Sequence, residues 1–469
     1  MSTLESVDKL PVLVLVGRPN VGKSTLFNRL TGTRDALVAD FPGLTRDRQY
    51  GVGEYDGKRF IVVDTGGLSP ADGDALAKLA EEQAQLAVNE ADAVMFLVDA
   101  RAGLNPADNE IARDLRKRGK PVRLLVNKAE GLGREAAADF FRMGLGDPML
   151  VSAEHGQGIE ALLREVLEPF PVVKEPNEDP DGAVRIAIVG RPNVGKSTLI
   201  NRLLGQDRVL AGDTPGTTRD SISVPFRYRN KDYVLIDTAG IRRRAKVTEM
   251  VEKLSVVKSL QSVEHAHVVI AVVDAQDEIS VHDARLLGLV AEMGRGLVLA
   301  VNKWDGLDDD IRDRVREAVD FKLPFLDFMP VHFISAREGS GMAGLMSDAQ
   351  AVADAARRPL KTPELTRELE KMVFEHQPPA ILGRRIKLRY AHAGGREPIT
   401  IVVHGNQTEK LPMSYRRYLI NEFRKRFELK GLPIRLELKT SDNPYKGKKN
   451  VLTARQQMKR KRMRERSKR

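Results

Sequence analysis

Two loops of this chain carry one chemistry. Gly17-Arg-Pro-Asn-Val-Gly-Lys-Ser-Thr25 returns unchanged as Gly190-Arg-Pro-Asn-Val-Gly-Lys-Ser-Thr198, 173 positions on. Each fits G-x-x-x-x-G-K-[ST], a pattern whose glycines (Gly17 and Gly22, Gly190 and Gly195) let backbone N–H groups close around phosphate oxygens. Lys23 and Lys196 are placed to reach β- and γ-phosphates, and Ser24 and Ser197 to hold Mg²⁺. Thr25 and Thr198 lie at the start of the following helix, where the helix dipole adds positive potential. A glycine-rich turn without a ligand is the plain alternative, and two full copies in the same context leave it little room.

The elements downstream repeat at the same offset. Thr45, in Pro42-Gly-Leu-Thr-Arg-Asp47, matches Thr218, in Pro215-Gly-Thr-Thr-Arg-Asp220. Asp64-Thr-Gly-Gly67 matches Asp237-Thr-Ala-Gly240. The threonines are placed to complete the Mg²⁺ shell when a γ-phosphate is present, and the aspartates to hold that metal through water. The N–H groups of Gly67 and Gly240 can bond the γ-phosphate, whose loss would release both loops as an order–disorder switch. Lys23, Thr45, Lys196 and Thr218 are therefore the expected catalytic residues.

A base-reading element follows each core. In the second copy it is Asn302-Lys303-Trp304-Asp305, whose carboxylate can accept guanine N1–H and N2–H₂ together; Ser335-Ala336 completes the pocket. The first copy reads Asn127-Lys128-Ala129-Glu130, then Ser152-Ala153. Glu130 carries one methylene more than Asp305, which moves its carboxylate outward by roughly 1.5 Å. A bidentate contact tolerates that poorly unless the loop adjusts, so guanine specificity is expected to be firmer in the second copy.

These loops need strands and helices to hold them. Val12-Leu-Val-Leu-Val16 and Ile186-Ala-Ile-Val189 read as buried strands ahead of each phosphate loop, and Val94–Asp99 and Val268–Asp274 as a second corresponding pair. Strands alternating with helical patterns predict an α/β class, with a mostly parallel sheet and helices on both faces. Ligands then sit at the carboxyl ends of the strands, where the motifs fall. The first such domain is expected over residues 10–171 and the second over 183–358. Between them, 172–182 forms a linker whose Lys174-Glu-Pro-Asn-Glu-Asp-Pro-Asp-Gly182 is acidic and rich in proline.

Residues 359–440 change pattern to α-β-β-α-β. A helix from Pro363 to Glu375 leads to strands at Ile386–Tyr390 and Thr400–Val403. A second helix, Ser414 to Glu428, is followed by a strand at Ile434–Leu438. Tyr415, Leu419, Phe423 and Phe427 recur at i, i+4 on the second helix and read as core rather than as a base-stacking platform. The last stretch, 441–469, has twelve Lys/Arg against Asp442 and Glu465, which places about +10 of the net +11 in one tail. It has no apolar period, is expected to be disordered when free, and suits a polyanion such as RNA.

Zero cysteines exclude disulfides and thiolate metal sites. No stretch approaches 18 consecutive apolar residues, and the N-terminus lacks a signal-peptide pattern. A cytoplasmic protein with no membrane partner is expected. The clearest difference between the halves is Arg242-Arg-Arg-Ala-Lys246, which follows Asp237-Thr-Ala-Gly240 where the first copy has Ser69-Pro-Ala-Asp72. It reads either as a solvated loop or as a nucleotide-controlled contact.

The double phosphate loop, the paired switch motifs, Asn302-Lys-Trp-Asp305 and the C-terminal α-β-β-α-β unit together resemble the Der/EngA family of bacterial ribosome-assembly GTPases over nearly the whole chain. The resemblance implies two tandem P-loop GTPase domains, a small α+β KH-like domain and a basic tail. It implies GTP and GDP as ligands, GTP hydrolysis with Mg²⁺, and action as a monomer in maturation of the large (50S) ribosomal subunit through rRNA and ribosomal proteins. The unit lacks the Gly-x-x-Gly loop of RNA-binding KH domains, since Gly383-Arg-Arg-Ile386 has no second glycine. Leu68 and Ile241 stand where many small GTPases carry a water-orienting Gln. Several relatives with an apolar residue there use K⁺, held partly by a loop asparagine matching Asn20 and Asn193. A GTP-regulated translation or tRNA-modification factor, and an RNA-binding protein with relic pockets, are the competing classes.

Overall fold

The computed structural model describes residues 10–32, 49–66, 85, 87–171, 182–205, 223–236, 256–381 and 384–440. They fall into two compact units. One comprises the chain up to Pro359 with the short segments Gly395–Ile399 and Phe427–Ile434. The other holds Leu360–Gly394, Thr400–Arg426 and the chain from Arg435.

The first unit contains the duplicated α/β architecture. In its first half, β1 (Val12–Val16) leads through the phosphate loop into α1 (Lys23–Leu30). Next come β2 (Gln49–Tyr55), β3 (Lys58–Asp64), β4 (Ala93–Asp99), α2 (Pro106–Arg118), β5 (Val122–Asn127), β6 (Met149–Leu150) and α3 (Ile159–Leu167). The sheet order is β2-β3-β1-β4-β5-β6, with only β2 antiparallel. β1 and β4 are buried along their whole length, which is why they read as unbroken apolar runs rather than alternating ones.

The second half repeats the plan. β7 (Val184–Val189), α4 (Lys196–Gly205), β8 (Val224–Tyr228), β9 (Lys231–Leu235), α5 (Val256–Glu264) and β10 (Val268–Asp274) come first. They are followed by α6 (Val281–Glu292), β11 (Gly296–Asn302), α7 (Asp309–Lys322), β12 (Val331–Phe333) and α8 (Met342–Arg357). The order β8-β9-β7-β10-β11-β12 is that of the first sheet, again with its first strand antiparallel. The order reverses at β1/β4 and at β7/β10, so both phosphate loops open at a topological switch point, the crevice where α/β sheets bind ligands.

The two halves share a seam within this unit. Leu10, Ile61 and Val63 belong to one continuous buried core with Leu260, Val263 and Leu289. At its edge Arg59, on β3, pairs with Glu264 at 2.8 Å and donates to the Met293 carbonyl. Glu264 also faces Arg295 at 3.6 Å, and both side chains are almost fully buried.

In the second unit the order is α9 (Thr362–Glu375), the short hairpin β13 (Ala380–Ile381) and β14 (Arg384–Arg385), then β15 (Lys387–Arg396) and β16 (Ile399–Asn406). α10 (Met413–Arg426) and β17 (Ile434–Thr440) close it. β15, β16 and β17 form one sheet in that order. The α-β-β-α-β pattern therefore holds, with one extra hairpin. Tyr415, Leu419 and Phe423 are buried as the core stripe of α10. Phe427 is buried too, but the helix has already ended at Arg426, and Glu428 takes a left-handed φ of 54° that stops it.

Candidate functional site

The phosphate end is built alike in both halves. The Lys23 ammonium is 5% exposed and donates to the carbonyls of Gly17 (3.0 Å) and Arg18 (2.7 Å). Burial draws its pKa down to about 8, against the opposing pull of Asp64. Lys196 donates to Gly190 and Arg191 at 2.8 and 2.5 Å. Ser24 Oγ donates to Asp64 Oδ2 at 2.9 Å, and the Gly66 N–H caps Oδ1 at 3.1 Å. Two hard oxygens from distant segments are thus brought side by side at the mouth of the loop, a donor set suited to Mg²⁺ and its waters. Thr25 and Thr198 are exposed just inside their helices. Ser197 lies at the matching place in the second loop. Its expected partner Asp237, with Thr45, Gly67, Thr218 and Gly240, falls outside the described residues.

The base end is tied to the phosphate end by one asparagine in each half. Asn127 Nδ2 donates to Val21 O at 2.8 Å, and Oδ1 accepts from the Ala153 N–H at 2.9 Å. Asn302 does the same with Val194 and Ala336, at the same two distances. Each asparagine is buried and acts as a strut between the phosphate loop and the Ser-Ala loop. Gly22 and Gly195 matter for a reason beyond phosphate. They sit at φ +98° and +95°, and a Cβ on either would collide with the strut's Nδ2.

Lys128 and Lys303 lie with left-handed φ of 62° and 64°. Lys128 Nζ reaches Asn20 O at 2.8 Å and Asp99 at 2.6 Å; Lys303 reaches Asp274 at 2.5 Å. Burial alone would raise the Asp99 pKa, but the Lys128 hydrogen bond and the backbone N–H groups of Arg101 and Ala102 hold it below its ordinary value. Asn20 and Asn193 share a left-handed φ near the top of each loop, 66° and 63°, and are exposed.

Six residues that are not among the predicted site residues join the site. Asp99 and Asp274 end β4 and β10 and anchor the lysines. Arg18 pairs with the buried Asp108 at 2.6 Å, as Arg191 does with Asp283 at 2.8 Å, fixing the first phosphate loop to α2 and the second to α6. All recur in both halves, and that recurrence was the sequence signal available for them.

The halves part at the purine-reading carboxylate. The Ser335 hydroxyl first, then the backbone N–H of Asp305 itself, hold the Asp305 carboxyl below the usual range. Trp304 beside it packs on Phe333 with ring centroids 4.3 Å apart, under the guanidiniums of Arg312 and Arg316. Glu130 is likewise kept ionised, by Ser152 first, but it also forms an ion pair with Arg101 at 2.5 Å.

A family model described as "50S ribosome-binding GTPase" matches residues 12–128 and again 185–303, and one described as "KH-domain-like of EngA bacterial GTPase enzymes, C-terminal" matches 360–439. The chain is 56% identical to GTPase Der of Thioalkalivibrio sulfidiphilus over 97% of its own length and 98% of that protein. The chain belongs to the Der/EngA family of GTPases. GTPase Der of Hahella chejuensis is 53% identical over 97% of this chain and 96% of that one. As a Der-type protein the chain binds and hydrolyses GTP, and its fold is two tandem GTPase domains with a KH-like domain. A solved structure of Era with MgGDPNP and nucleotides 1506–1542 of 16S ribosomal RNA overlaps 70% of this chain and 92% of its own. Its TM-score is 0.32 at 19% identity, a superposition too loose to inform the Der site. Among the described residues no helix is long and apolar enough to cross a membrane.

Proposed function

We propose that this chain is a two-site GTPase switch that acts in maturation of the large ribosomal subunit. The observation that supports it best is the duplicated site itself: two phosphate loops, each braced by an asparagine strut to its own base loop. These belong to a chain that also carries a KH-like unit. The names of its relatives and of the matching family point the same way.

We assign domain 1 to residues 10–171, domain 2 to 183–358, the KH-like domain to 359–440 and the basic tail to 441–469. In each GTPase domain the loop lysine holds the β- and γ-phosphates. Ser24 with Asp64, and Ser197 with Asp237, would hold Mg²⁺, with Thr45 and Thr218 closing the shell. The metal supplies charge neutralisation between the phosphates when bound. The N–H groups of Gly67 and Gly240 would bond the γ-phosphate, and Asn127, Lys128, Glu130, Ser152 and Ala153 read the base, as do Asn302, Lys303, Asp305, Ser335 and Ala336. Asn20 and Asn193, exposed at the loop tops, would hold K⁺. The tail, at about +10, meets rRNA.

Sedimentation with ribosomal subunits tests the switch. Comigration with the large subunit under a non-hydrolysable GTP analogue, and not under GDP, is expected; equal binding in both states or none contradicts it. Exchanging K⁺ for Na⁺ at constant ionic strength is expected to slow turnover, and an unchanged rate removes K⁺ from the reading.

A further inference from the structure

We propose that Arg101 makes the first nucleotide site a reader of the 6-oxopurine ring with little regard for its 2-amino group, while the second site demands that group. The inference rests on the assignment of Glu130 and Asp305 as base-reading carboxylates and names the substrate class each accepts.

The two sites offer a like-for-like comparison. The N–H of Arg101 caps Asp99 Oδ1 at 2.9 Å, and the N–H of Gln276 caps Asp274 Oδ1 at 2.9 Å. The two residues therefore occupy the same place, in the turn after β4 and after β10. One is a cation and the other a neutral amide. Arg101 Nη2 reaches Glu130 Oε1 at 2.5 Å, and the extra methylene of glutamate lets the carboxylate extend to it. Among the described residues no ion pair reaches Asp305.

The consequence is a division of labour between two oxygens. Guanine presents N1–H and N2–H₂ side by side, and a free carboxylate takes one donor on each oxygen. At Glu130, Oε1 is already engaged by a guanidinium. Oε2 is buried and accepts no hydrogen bond from any described residue. With a guanidinium competing at Oε1, a base that turns the carboxylate toward itself meets one uncontested acceptor, Oε2, which suits N1–H, the donor common to guanine and hypoxanthine. The 2-amino group then adds little at this site. Asp305 has the serine contact that Glu130 has, from Ser335 in place of Ser152, but no paired guanidinium among the described residues. It can therefore meet both donors, and hypoxanthine would leave one acceptor without its donor, a loss typically worth tenfold or more in affinity.

Arg101 is thus a specificity-determining residue acting through Glu130. It does not replace the carboxylate and need not touch the base.

The test compares GTP with ITP by equilibrium competition against a fluorescent GDP analogue on the full chain. In a Lys196→Ala protein, which reports the first site, ITP is expected to bind within about threefold of GTP. In a Lys23→Ala protein, which reports the second, GTP should be preferred by about tenfold or more. Adding Arg101→Ala to the first should free Oε1 and raise the GTP preference several-fold. A merely structural role for Arg101 would weaken both nucleotides alike and leave the ratio unchanged, which overturns the proposal. So does a tenfold GTP preference at the first site before any change to Arg101. If a loop variant does not fold, the unmodified chain gives the same answer: ITP should displace the probe from its two sites in two phases about tenfold apart beyond those seen with GTP, and a common shift of both phases overturns the proposal. Failure of the Lys196→Ala protein to bind GTP or GDP while folded would instead sink the site assignment, and the proposal with it.

Discussion

The two halves of the first unit agree at the phosphate end and differ at the base end. Lys23 and Lys196 hold matching carbonyls, and Asn127 and Asn302 brace matching loops with the same pair of distances. Glu130 and Asp305 occupy corresponding places yet keep different company: an arginine in one case, a tryptophan neighbour under two guanidiniums in the other. Phosphate binding is backbone geometry, which duplicates as a block. Base reading is a few side-chain atoms, which can drift in one copy while the frame stays fixed.

The largest effect should come from the seam between the halves. Glu264 lies between Arg59 of the first and Arg295 of the second. Glu264→Ala would leave Arg59 without its carboxylate and Arg295 with Glu397 alone among the described carboxylates, and breaking a buried pair costs about 3–5 kcal/mol. A fall of that size in denaturant unfolding is expected. A change under about 1 kcal/mol would mean that the halves do not depend on this contact, and that the two sites can be compared as independent domains.

Next in size are the loop lysines. Removing one preorganised cation from a developing phosphate charge should cost roughly 10²-fold in turnover at its own site. Lys23→Ala and Lys196→Ala, assayed singly on the full chain, should therefore leave different residual rates. Equal losses would erase the asymmetry drawn at the base end.

The smallest is a pH effect at the first site. The Lys23 pKa is drawn down to about 8 in the folded protein, below its ordinary 10.5. Phosphate needs the charged form, so GTP binding there takes up a proton once the pH exceeds about 8, and affinity should fall by about tenfold between pH 7 and 9. The same depression makes folding stability rise with pH between about 8 and 10.5, because the unfolded lysine binds the proton more strongly. Lys23→Arg should flatten the binding profile, since a guanidinium does not titrate in this range. A slope surviving in Lys23→Arg would assign it to another group.

Much of this frame is legible in the amino-acid order because it is local or repeated. β1, the phosphate loop and α1 are contiguous, and their copy lies 173 positions on. The struts are less so. Asn127 is visible as part of a base-reading motif, but its grip on Val21 joins residues 106 apart, and only the parallel neighbours β1, β4 and β5 bring them together. Arg101 and Glu130 meet because the turns after β4 and β5 are adjacent, and neither spacing nor periodicity records that. The Arg59–Glu264 pair spans 205 positions and carries no pattern at all. On α10 the i, i+4 stripe marked its core residues, while the end of the helix depended on a left-handed turn at Glu428 that a charged residue does not announce.

The most direct test of two nucleotide sites with a common phosphate end and unequal base ends is an equilibrium titration of the full chain. It would use a non-hydrolysable GTP analogue with Mg²⁺ at pH 7. Two sites per chain with separable affinities, the tighter one lost in Asp305→Ala and the weaker one in Glu130→Ala, are predicted. A single site per chain, or two sites that both variants weaken alike, would contradict it.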